Sequence, residues 1–372
     1  MSERAGVLSS TAIGALIEGG GVSADQPIGA AQIQPASIDL RLGPKAYRVR
    51  ASFLPGRESV RAKIARLGMH EIDLEPGAVL ERGCVYIVPL IERLALAPDV
   101  AAHANPKSST GRLDIFTRLI ADEAHEFDRV QDGYHGPLYT EVSPRTFSIV
   151  VRAGSRLNQL RFKRGDPGYS EGALERLHAE RRLVEGEVAR GGFGGGLPLS
   201  VDLGGDGGDL VGWKAKRHAD LIDIDVVGHY EPADYWEPIA RPSGGGVILN
   251  PDDFYILASK ESVRIPPDHA AEMVAYDTLV GEFRAHYAGF FDPGFGHDEA
   301  GGGGTRAVLE VRSHDVPFVI EDGQTIGRLL FEPLTERPAA LYGHGIGSSY
   351  QRQGLALAKQ FKRPGLNDAT TV

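Results

Sequence analysis

Two hexapeptides divide the chain into similar halves: Pro35-Ala36-Ser37-Ile38-Asp39-Leu40 and, 163 positions later, Pro198-Leu199-Ser200-Val201-Asp202-Leu203. Each copy is followed within three residues by a glycine. Four further matches occur. One links residues 74–77 to 249–252, at an offset of 175. The other three share an offset of 169 and link 94–99 to 263–268, 139–142 to 308–311 and 154–162 to 323–331. Insertions in loops produce such a drift, so the sequence indicates an internal duplication.

Short apolar runs, such as residues 85–88 and 254–257, fill both halves and are separated by many of the 48 Gly and 23 Pro. This pattern predicts strands joined by tight turns, and the 42% hydrophobic content excludes a disordered chain. Two helices are expected. The first spans residues 10–18, with Ser10 as N-cap. The second spans residues 170–190, where an apolar stripe comprises Leu174, Leu177, Val184 and Val188.

The predicted fold class is therefore mainly β, with two tandem β-barrel domains and a few short helices. The first domain is expected at residues 1–168. A helix and a glycine-rich linker are expected at residues 169–196, because residues 191–196 contain five glycines. The second domain, with a C-terminal tail, is expected at residues 197–372.

Composition excludes several classes of protein. The net charge of −10 argues against a sequence-independent nucleic-acid binder, which needs a broad basic surface. The single Cys84 leaves no disulfide framework and no cysteine-rich zinc site. No apolar stretch approaches 18 residues and no signal-like segment is visible, so we expect a cytoplasmic location without membrane contact.

One segment suits a polyphosphate: Lys107-Ser108-Ser109-Thr110-Gly111-Arg112. Hydroxyls and backbone N–H groups donate to phosphate oxygens, the glycine allows the backbone to approach, and arginine binds bidentately. The alternative is an exposed polar turn. The 169 offset places Asp277, Thr278 and Gly281 where the first half has Ser108, Ser109 and Arg112, so the second half lacks this element.

Glu141 and Glu310 occupy equivalent places, each inside a predicted strand. A carboxylate that faces into a barrel has a raised pKa and can act as general base and acid, whereas a glutamate on a solvated strand face has no such role. The recurrence of the neighbouring motifs leaves both interpretations open.

Other segments offer weaker signals. Asp292 lies in a predicted tight turn, Phe291-Asp292-Pro293-Gly294-Phe295, where it caps the turn or accepts from a sugar hydroxyl. Residues 343–354 and the cations Lys359 and Lys362 form either a tail that closes on a ligand or a frayed end.

The G-x-S-x-G at residues 168–172 follows a proline-containing loop, so helix capping by Ser170 is favoured over a nucleophile. No P-C-x-x-C or H-E-x-x-H occurs, and zinc is not expected.

Together, residues 32–43 (QIQPASIDLRLG), Lys107-Ser108-Ser109 with Arg112, the Asp292 turn and Leu309-Glu310 resemble the deoxycytidine triphosphate (dCTP) deaminase family. Residues 323–334 resemble the same family, here in a tandem-duplicated long form. The family shares the trimeric dUTPase fold, so the resemblance implies two dUTPase-like barrels with sites between domains or subunits of a homo-oligomer.

The resemblance implies hydrolytic deamination of dCTP to dUTP and ammonia without a catalytic metal, with Mg²⁺ bound to the triphosphate. Glu310 or Glu141 would act as general base and acid, while Ser108 and Arg112 orient the water and stabilise the adduct. The implied substrate-binding residues are Lys107, Ser109, Asp292, Gln324, Tyr350, Gln353 and Lys359. The spacing from Tyr350 to Gly354 is shorter than is usual in the family.

The halves differ in complementary ways, which favours a site shared between unlike halves, with Arg112 of one facing Glu310 of the other. A site between like halves would use Glu141 instead. Three alternatives to a simple deaminase stay open: a bifunctional enzyme that also cleaves dUTP, a dUTP pyrophosphatase, and a non-catalytic regulator that binds dCTP or dTTP.

Overall fold

The computed structural model describes residues 5–185, 188, 192–205, 208–275, 283–285, 289–313, 316–343 and 350–363 of the chain. Its described part is mainly β, as the sequence predicts. The strands of the first half are β1 Gly6–Val7, β2 Val22–Ala24, β3 Ile33–Gln34, β4 Ser37–Arg41, β5 Lys45–Val49, β6 Gly68–Asp73, β7 Ala78–Leu80, β8 Val85–Ala95, β9 Val100–Pro106, β10 Ile115–Ala121, β11 Arg129–Val130, β12 His135–Pro144, β13 Ile149–Val151 and β14 Arg156–Arg164. The later strands are β15 Val184–Glu185, β16 Leu197–Ser200, β17 Leu210–Ala215, β18 Ile222–Asp223, β19 Trp236–Ala240, β20 Gly246–Leu249, β21 Phe254–Val263, β22 His269–Ala275, β23 Phe283–Ala285, β24 Phe290–Phe291, β25 Thr305–Ser313, β26 Phe318–Glu321 and β27 Thr325–Pro333.

The helices are short: α1 Ser10–Glu18, α2 Val60–Leu67, α3 Ser108–Gly111, α4 Glu171–Arg181 and α5 Pro232–Tyr235, with 3-10 turns at Ala30–Gln32 and Asp298–Ala300. The first predicted helix is confirmed in its extent, but its N-cap is Ser9, whose hydroxyl accepts from the Ala12 N–H at 3.2 Å, rather than Ser10. None of the described helices has the length and apolar character needed to cross a bilayer.

The prediction of one helix over residues 170–190 is wrong in length. Helix α4 ends at Arg181 because Arg182 adopts a left-handed conformation (φ 50°), which stops helical hydrogen bonding. Val184 then pairs with Val263 on the edge of β21 as part of β15. Ser170 holds the N-cap position of α4 but makes no capping hydrogen bond through its side chain.

The sheets of the two halves are related by the 169 offset. In the first half, β10-β12-β8-β5-β6 and β11-β9-β14-β4-β3 form the main sheets. In the second half, β19-β17-β21-β25-β23 and β16-β27-β22-β24 take the corresponding places. Glu141 lies opposite Ile87 in the β12/β8 pair, and Glu310 lies opposite Ile256 in the β25/β21 pair. The two glutamates therefore occupy equivalent strand positions, as the sequence predicts.

The second half also contributes to the core of the first half. Strand β18 pairs in parallel with β13, and Asp223 accepts two hydrogen bonds from the Arg152 guanidinium at 2.8 and 2.6 Å. Trp236 is buried between Phe147 and Phe361; its ring centroid is 5.6 Å from that of Phe147 and 5.9 Å from that of Phe361. The first-half core is therefore completed by residues that follow the linker.

Arg161 on β14 links the halves from the inside. Its side chain is fully buried (0% exposed), and its guanidinium carbon lies 4.0 Å from the Phe290 ring centroid. The same guanidinium donates to the Ala271 carbonyl at 3.0 Å and lies 3.8 Å from the Asp292 carboxylate. Because a buried cation needs partners that replace water, this residue fixes the register between the halves.

We predict that Arg161→Met lowers the free energy of unfolding by about 3–5 kcal/mol, since it leaves the buried Asp292 carboxylate without its cation. Urea denaturation monitored by tryptophan fluorescence measures the change. Arg57→Met at an exposed position is the matched control, and we expect it to change stability by less than about 0.5 kcal/mol. Equal stability of the two variants would contradict the structural role of Arg161.

Candidate active site

A cavity of about 350 Å³ lies where the two halves meet. The first half contributes the end of β9 and helix α3, and the second half contributes β24, the turn at Asp292, strand β25 and the tail at residues 350–363. The predicted site residues that line this cavity are Lys107, Ser108, Ser109, Arg112, Asp292, Glu310, Tyr350, Gln353 and Lys359.

The first-half side of the cavity is built by one tight helical turn. Strand β9 ends at Pro106, after which Lys107 donates its backbone N–H to the Leu157 carbonyl at 2.9 Å. The N–H of Arg112 donates to the Ser108 carbonyl at 3.0 Å, which closes the turn. This turn places the Ser108, Ser109 and Arg112 side chains along one wall, so the polar-turn interpretation accounts for the backbone but not for the inward direction of these groups.

Glu310 of the second half approaches Arg112 of the first half. Glu310 Oε1 lies 4.0 Å from Arg112 Nε, and both side chains are less than a tenth exposed. Gly111 makes this approach possible, because a Cβ at position 111 would lie 3.1 Å from the Glu310 carboxyl carbon. The glycine of the segment therefore makes room for a carboxylate, a role that the sequence alone does not reveal.

Arg112 is held from the side opposite Glu310. Its guanidinium lies 3.8 Å from the Tyr350 ring centroid and donates to the Ala356 carbonyl at 3.0 Å. Its buried Nε has no hydrogen-bond partner within the described residues. A cation held by a ring and a carbonyl, with a free N–H beside a carboxylate, is able to donate to a polar group placed between the two.

The pKa of Glu310 reflects its burial. The pKa of this carboxyl is raised to about 8, chiefly by burial; Arg112 opposes the shift and the charge of Asp114 adds to it. No hydrogen bond to the Glu310 carboxylate occurs among the described residues. A buried carboxyl that titrates near neutral pH, with its oxygens unbound, has the properties of a general base and acid.

Three cations, Lys107, Arg156 and Lys359, lie at the other end of the cavity, near the buried carboxylate of Asp39. Lys107 Nζ forms an ion pair with Asp39, and Arg156 Nη1 lies 3.7 Å from the same carboxylate. Burial lowers the pKa of Lys359, and the nearby Lys107 lowers it further. These residues and Ser109 are shared with a second cavity of about 320 Å³, which extends to Asp225. The cations outnumber the carboxylates in contact with them, so this end of the cavity suits a polyanion.

Asp292 begins the predicted tight turn, in which the Phe295 N–H donates to the Asp292 carbonyl at 3.1 Å. Burial raises the pKa of Asp292 to about 6, and Arg161 and Lys107 oppose the shift. Asp292 Oδ1 is buried without a hydrogen-bond partner in the part of the chain that the structure describes. It is therefore able to accept a hydrogen bond from a ligand hydroxyl.

Two predicted site residues lie elsewhere. Glu141 forms an ion pair with Arg118, whose Nη2 lies 2.7 Å from Glu141 Oε1, and it does not line the cavity. Gln324 lies in the turn between β26 and β27, where its Oε1 accepts from the Glu321 N–H at 3.2 Å, and it does not line the cavity either. The positions 277, 278 and 281, and residues 344–349 of the tail, lie outside the described residues.

The residues that line the cavity and that sequence reasoning missed include Asp39, Arg156 and Tyr342. Asp39 lies within the repeated hexapeptide, where the recurrence of an aspartate is the signal that could have identified it. Arg156 lies in the repeated segment 154–162, but the second copy has Thr325 in its place, so the repeat gives no clue to its role. Tyr342 carries no signal, since it lies between segments without a motif.

Comparisons with known proteins cover both halves. A family model described as "2'-deoxycytidine 5'-triphosphate deaminase (DCD) N-terminal domain" matches residues 4–166, and one for the C-terminal domain of the same family matches residues 170–361. A crystal structure of 2'-deoxycytidine 5'-triphosphate deaminase from Agrobacterium tumefaciens is 54% identical, with a TM-score of 0.85, and the match covers 89% of this chain and 99% of that chain.

Shorter relatives match part of the chain. The "dCTP deaminase, dUMP-forming" of Beutenbergia cavernae is 31% identical over 165 residues, which is 42% of this chain and 76% of the relative. The "dCTP deaminase" of Haloarcula marismortui is 31% identical over 134 residues, or 35% of this chain and 66% of the relative. The "dCTP deaminase, dUMP-forming" of Methanobrevibacter smithii is 28% identical, and the match covers 65% of its length. The chain therefore spans just under two thirds of the length of the Haloarcula marismortui and Methanobrevibacter smithii proteins.

We predict that Glu310→Gln stabilises the fold at alkaline pH. The pKa of Glu310 is raised from 4.5 to about 8, so the stability that its neutral form contributes is complete below pH 4.5 and is lost as the pH rises through about 8. Glutamine does not titrate. The difference in Tm, variant minus wild type, should therefore increase between pH 5 and 9 in calorimetry.

The matched control for this experiment is Glu126→Gln, at a side chain that is 68% exposed. Its Tm difference should stay nearly constant over the same range. A pH-independent Tm difference for Glu310→Gln would contradict the burial of an uncharged carboxyl at this position.

Proposed function

The chain belongs to the 2'-deoxycytidine 5'-triphosphate deaminase family, and from that premise we propose that it hydrolyses dCTP to dUTP and ammonia. One water is consumed, the C4–N bond of cytosine is broken and a C4=O bond is formed. The observation that carries the proposal is the buried Glu310, 4.0 Å from Arg112 in a cavity whose far end is cationic.

In this proposal Glu310 acts as the general base and acid. Its carboxylate takes a proton from the water that attacks C4 and returns it to the amine that leaves as ammonia. The raised pKa supports this role, because a group that titrates near the working pH both accepts and releases a proton readily. Ser108 and Arg112 orient the water and stabilise the developing charge of the tetrahedral adduct, for which the unpartnered Arg112 Nε supplies a donor.

The triphosphate would lie at the cationic end of the cavity. Lys107, Arg156 and Lys359 supply positive charge and Ser109 supplies a hydroxyl, all within the region shared by the two cavities. Mg²⁺ is proposed to arrive with the triphosphate as part of the substrate. Asp292 would accept a hydrogen bond from the deoxyribose, while Tyr350 and Gln353 of the tail cover the nucleotide.

The site is composed within one chain, from complementary parts of the two halves. This arrangement supports the shared site between unlike halves and gives no role in the reaction to Glu141, which is paired with Arg118. We therefore propose one working site per chain, with Glu310 as its base, whether or not chains associate further.

A bifunctional activity is the second candidate, because several relatives are named as dUMP-forming. Incubation of the purified protein with dCTP and Mg²⁺, and separately with dUTP, distinguishes the alternatives when nucleotides are resolved by chromatography and ammonia is measured. Ammonia with accumulating dUTP supports the proposal. Ammonia with dUMP and pyrophosphate indicates the bifunctional enzyme, and dUMP from dUTP alone indicates a pyrophosphatase. Binding without product indicates a regulator.

We predict that Glu310→Gln lowers kcat by about 10²-fold or more, since general acid–base catalysis contributes about 10²–10⁴-fold. Glu141→Gln at the equivalent strand position is the matched control and should retain most of the turnover. Steady-state ammonia release measures both variants. The opposite ranking would exclude the site between unlike halves.

The pH dependence of kcat/KM supplies a second test. The general base must be ionised, so we expect kcat/KM to fall below an apparent pKa near that of Glu310, about 8. Below this value the decrease should approach tenfold per pH unit. A flat profile between pH 6 and 8 would contradict Glu310 as the base.

A further inference from the structure

A second contact between the halves lies directly behind the Arg112–Glu310 pair. On strand β25, Arg312 follows Glu310 by two residues and therefore projects from the same face of the strand. In the first half, Asp114 follows Arg112 by two residues, at the end of the turn formed by α3. Arg312 Nη2 forms an ion pair with Asp114 Oδ2, with the two side chains 8% and 1% exposed.

Asp114 is fixed in place by its own backbone and side chain. It adopts a left-handed conformation (φ 55°), and its N–H donates to the Gly111 carbonyl at 2.8 Å. Its carbonyl accepts from the Arg145 N–H at 2.9 Å, and its carboxylate accepts from the Thr146 hydroxyl at 2.5 Å. A residue held at so many points gives the opposite strand a rigid anchor.

Arg312 is fixed equally well on the side of the second half. Its Nη1 donates to the Asp252 carbonyl at 2.7 Å, and its Nη2 also donates to the Thr146 hydroxyl at 3.1 Å. The guanidinium therefore connects β25 and the loop before β21 to the turn that carries Arg112. Its planar set of donors permits these contacts at one time.

We propose that the Arg312–Asp114 ion pair is a positioning device that holds Glu310 at the correct distance and in the correct charge environment opposite Arg112. The contact between Glu310 and Arg112 is long, at 4.0 Å, and no hydrogen bond among the described residues holds the Glu310 carboxylate. The geometry of the base is therefore set by its strand, and the ion pair two residues further along fixes that strand against α3.

The charges of the Arg312–Asp114 ion pair also affect the pKa of Glu310. Within the part of the chain that the structure describes, the charged and titratable groups that face Glu310 are Arg112 and Asp114 from the first half and Tyr350 from the tail, while Arg312 follows on its own strand. Asp114 raises the pKa of Glu310, and the Arg312 cation offsets part of that negative charge. Removal of Arg312 takes away the part of the compensation that this cation supplies and raises the pKa of Glu310 further.

This inference rests on the proposed deamination of dCTP. We expect Arg312→Met to lower kcat by roughly 10–100-fold, the range expected when a reacting group is misplaced by about 1 Å, with a smaller change in KM. The acidic limb of the kcat/KM profile should move to higher pH. Arg312→Lys should restore part of kcat and move the limb back, because lysine keeps the charge. Asp114→Asn should move the limb to lower pH.

Arg41→Met is the matched control, since it removes another buried ion pair, with Glu92, from a residue that does not line the cavity. It should lower Tm without moving the acidic limb. Each variant is compared after thermal melting has shown that it is folded at the assay temperature. The Asp114 carboxylate is the more deeply buried of the pair, so Asp114→Asn alone leaves the Arg312 cation without it. The double variant of Asp114→Asn with Arg312→Met removes both charges of the pair and keeps the test informative.

The outcomes separate the two proposals. If the wild type releases no ammonia from dCTP, the proposed function fails. If the wild type is active and Arg312→Met retains both its kcat and its acidic limb, the positioning role is wrong. A lower kcat with an unmoved limb, not restored by Arg312→Lys, would reduce Arg312 to a purely structural residue and would also overturn the inference.

Discussion

The approach of a carboxylate to a guanidinium across the boundary between two halves is the constraint on which this structure depends. Arg112 and Glu310 are 198 residues apart in sequence and 4.0 Å apart in space, so this contact requires one fixed register between the halves. The buried Arg161 and the ion pair between Arg312 and Asp114 provide that register from within the interface. Strand β18 adds backbone pairing, since it extends a sheet of the first half with residues of the second. The site is thus inseparable from the packing of the halves.

The same burial that holds the halves together sets the chemistry of the cavity. Water is kept from Glu310, so its pKa rises, and the cost of charging it is only partly offset by Arg112. At the far end, Lys107, Arg156 and Lys359 concentrate positive charge on a chain whose net charge is −10. An acidic surface disfavours polyanions in general, whereas a small triphosphate that enters the cavity meets a local excess of cations. The proposed binding of a nucleotide rather than a nucleic acid is consistent with this contrast.

The duplication could be recognised from the sequence because the two copies keep the same residue register along their strands. The 169 offset aligns Ile87 with Ile256 and Glu141 with Glu310, and the strand pairs of the structure repeat that alignment. Segment 107–112 was likewise visible, since two cations, three hydroxyls and a glycine lie within six residues. Features that depend on contacts between distant residues carried no such signal. Three such features depend on tertiary packing, which overrides local pattern. They are the early end of α4 at Arg181, the turn that holds Gln324 away from the cavity, and the pairing of Asp114 with Arg312.

The two equivalent glutamates have different surroundings in the two halves. In the first half, Glu141 meets Arg118 at 2.7 Å, and the Arg118 guanidinium lies 3.6 Å from the Phe127 ring centroid. Helix α2 packs beside this face, where Val60 belongs to the same apolar cluster as Ile87 and Tyr139. Glu141 is therefore paired with a neighbouring arginine and lies away from the cavity that Glu310 lines. Glu310 has Arg112 at a greater distance, 4.0 Å, and within the described residues its carboxylate accepts no hydrogen bond, so the contacts of the two copies have diverged at this strand position.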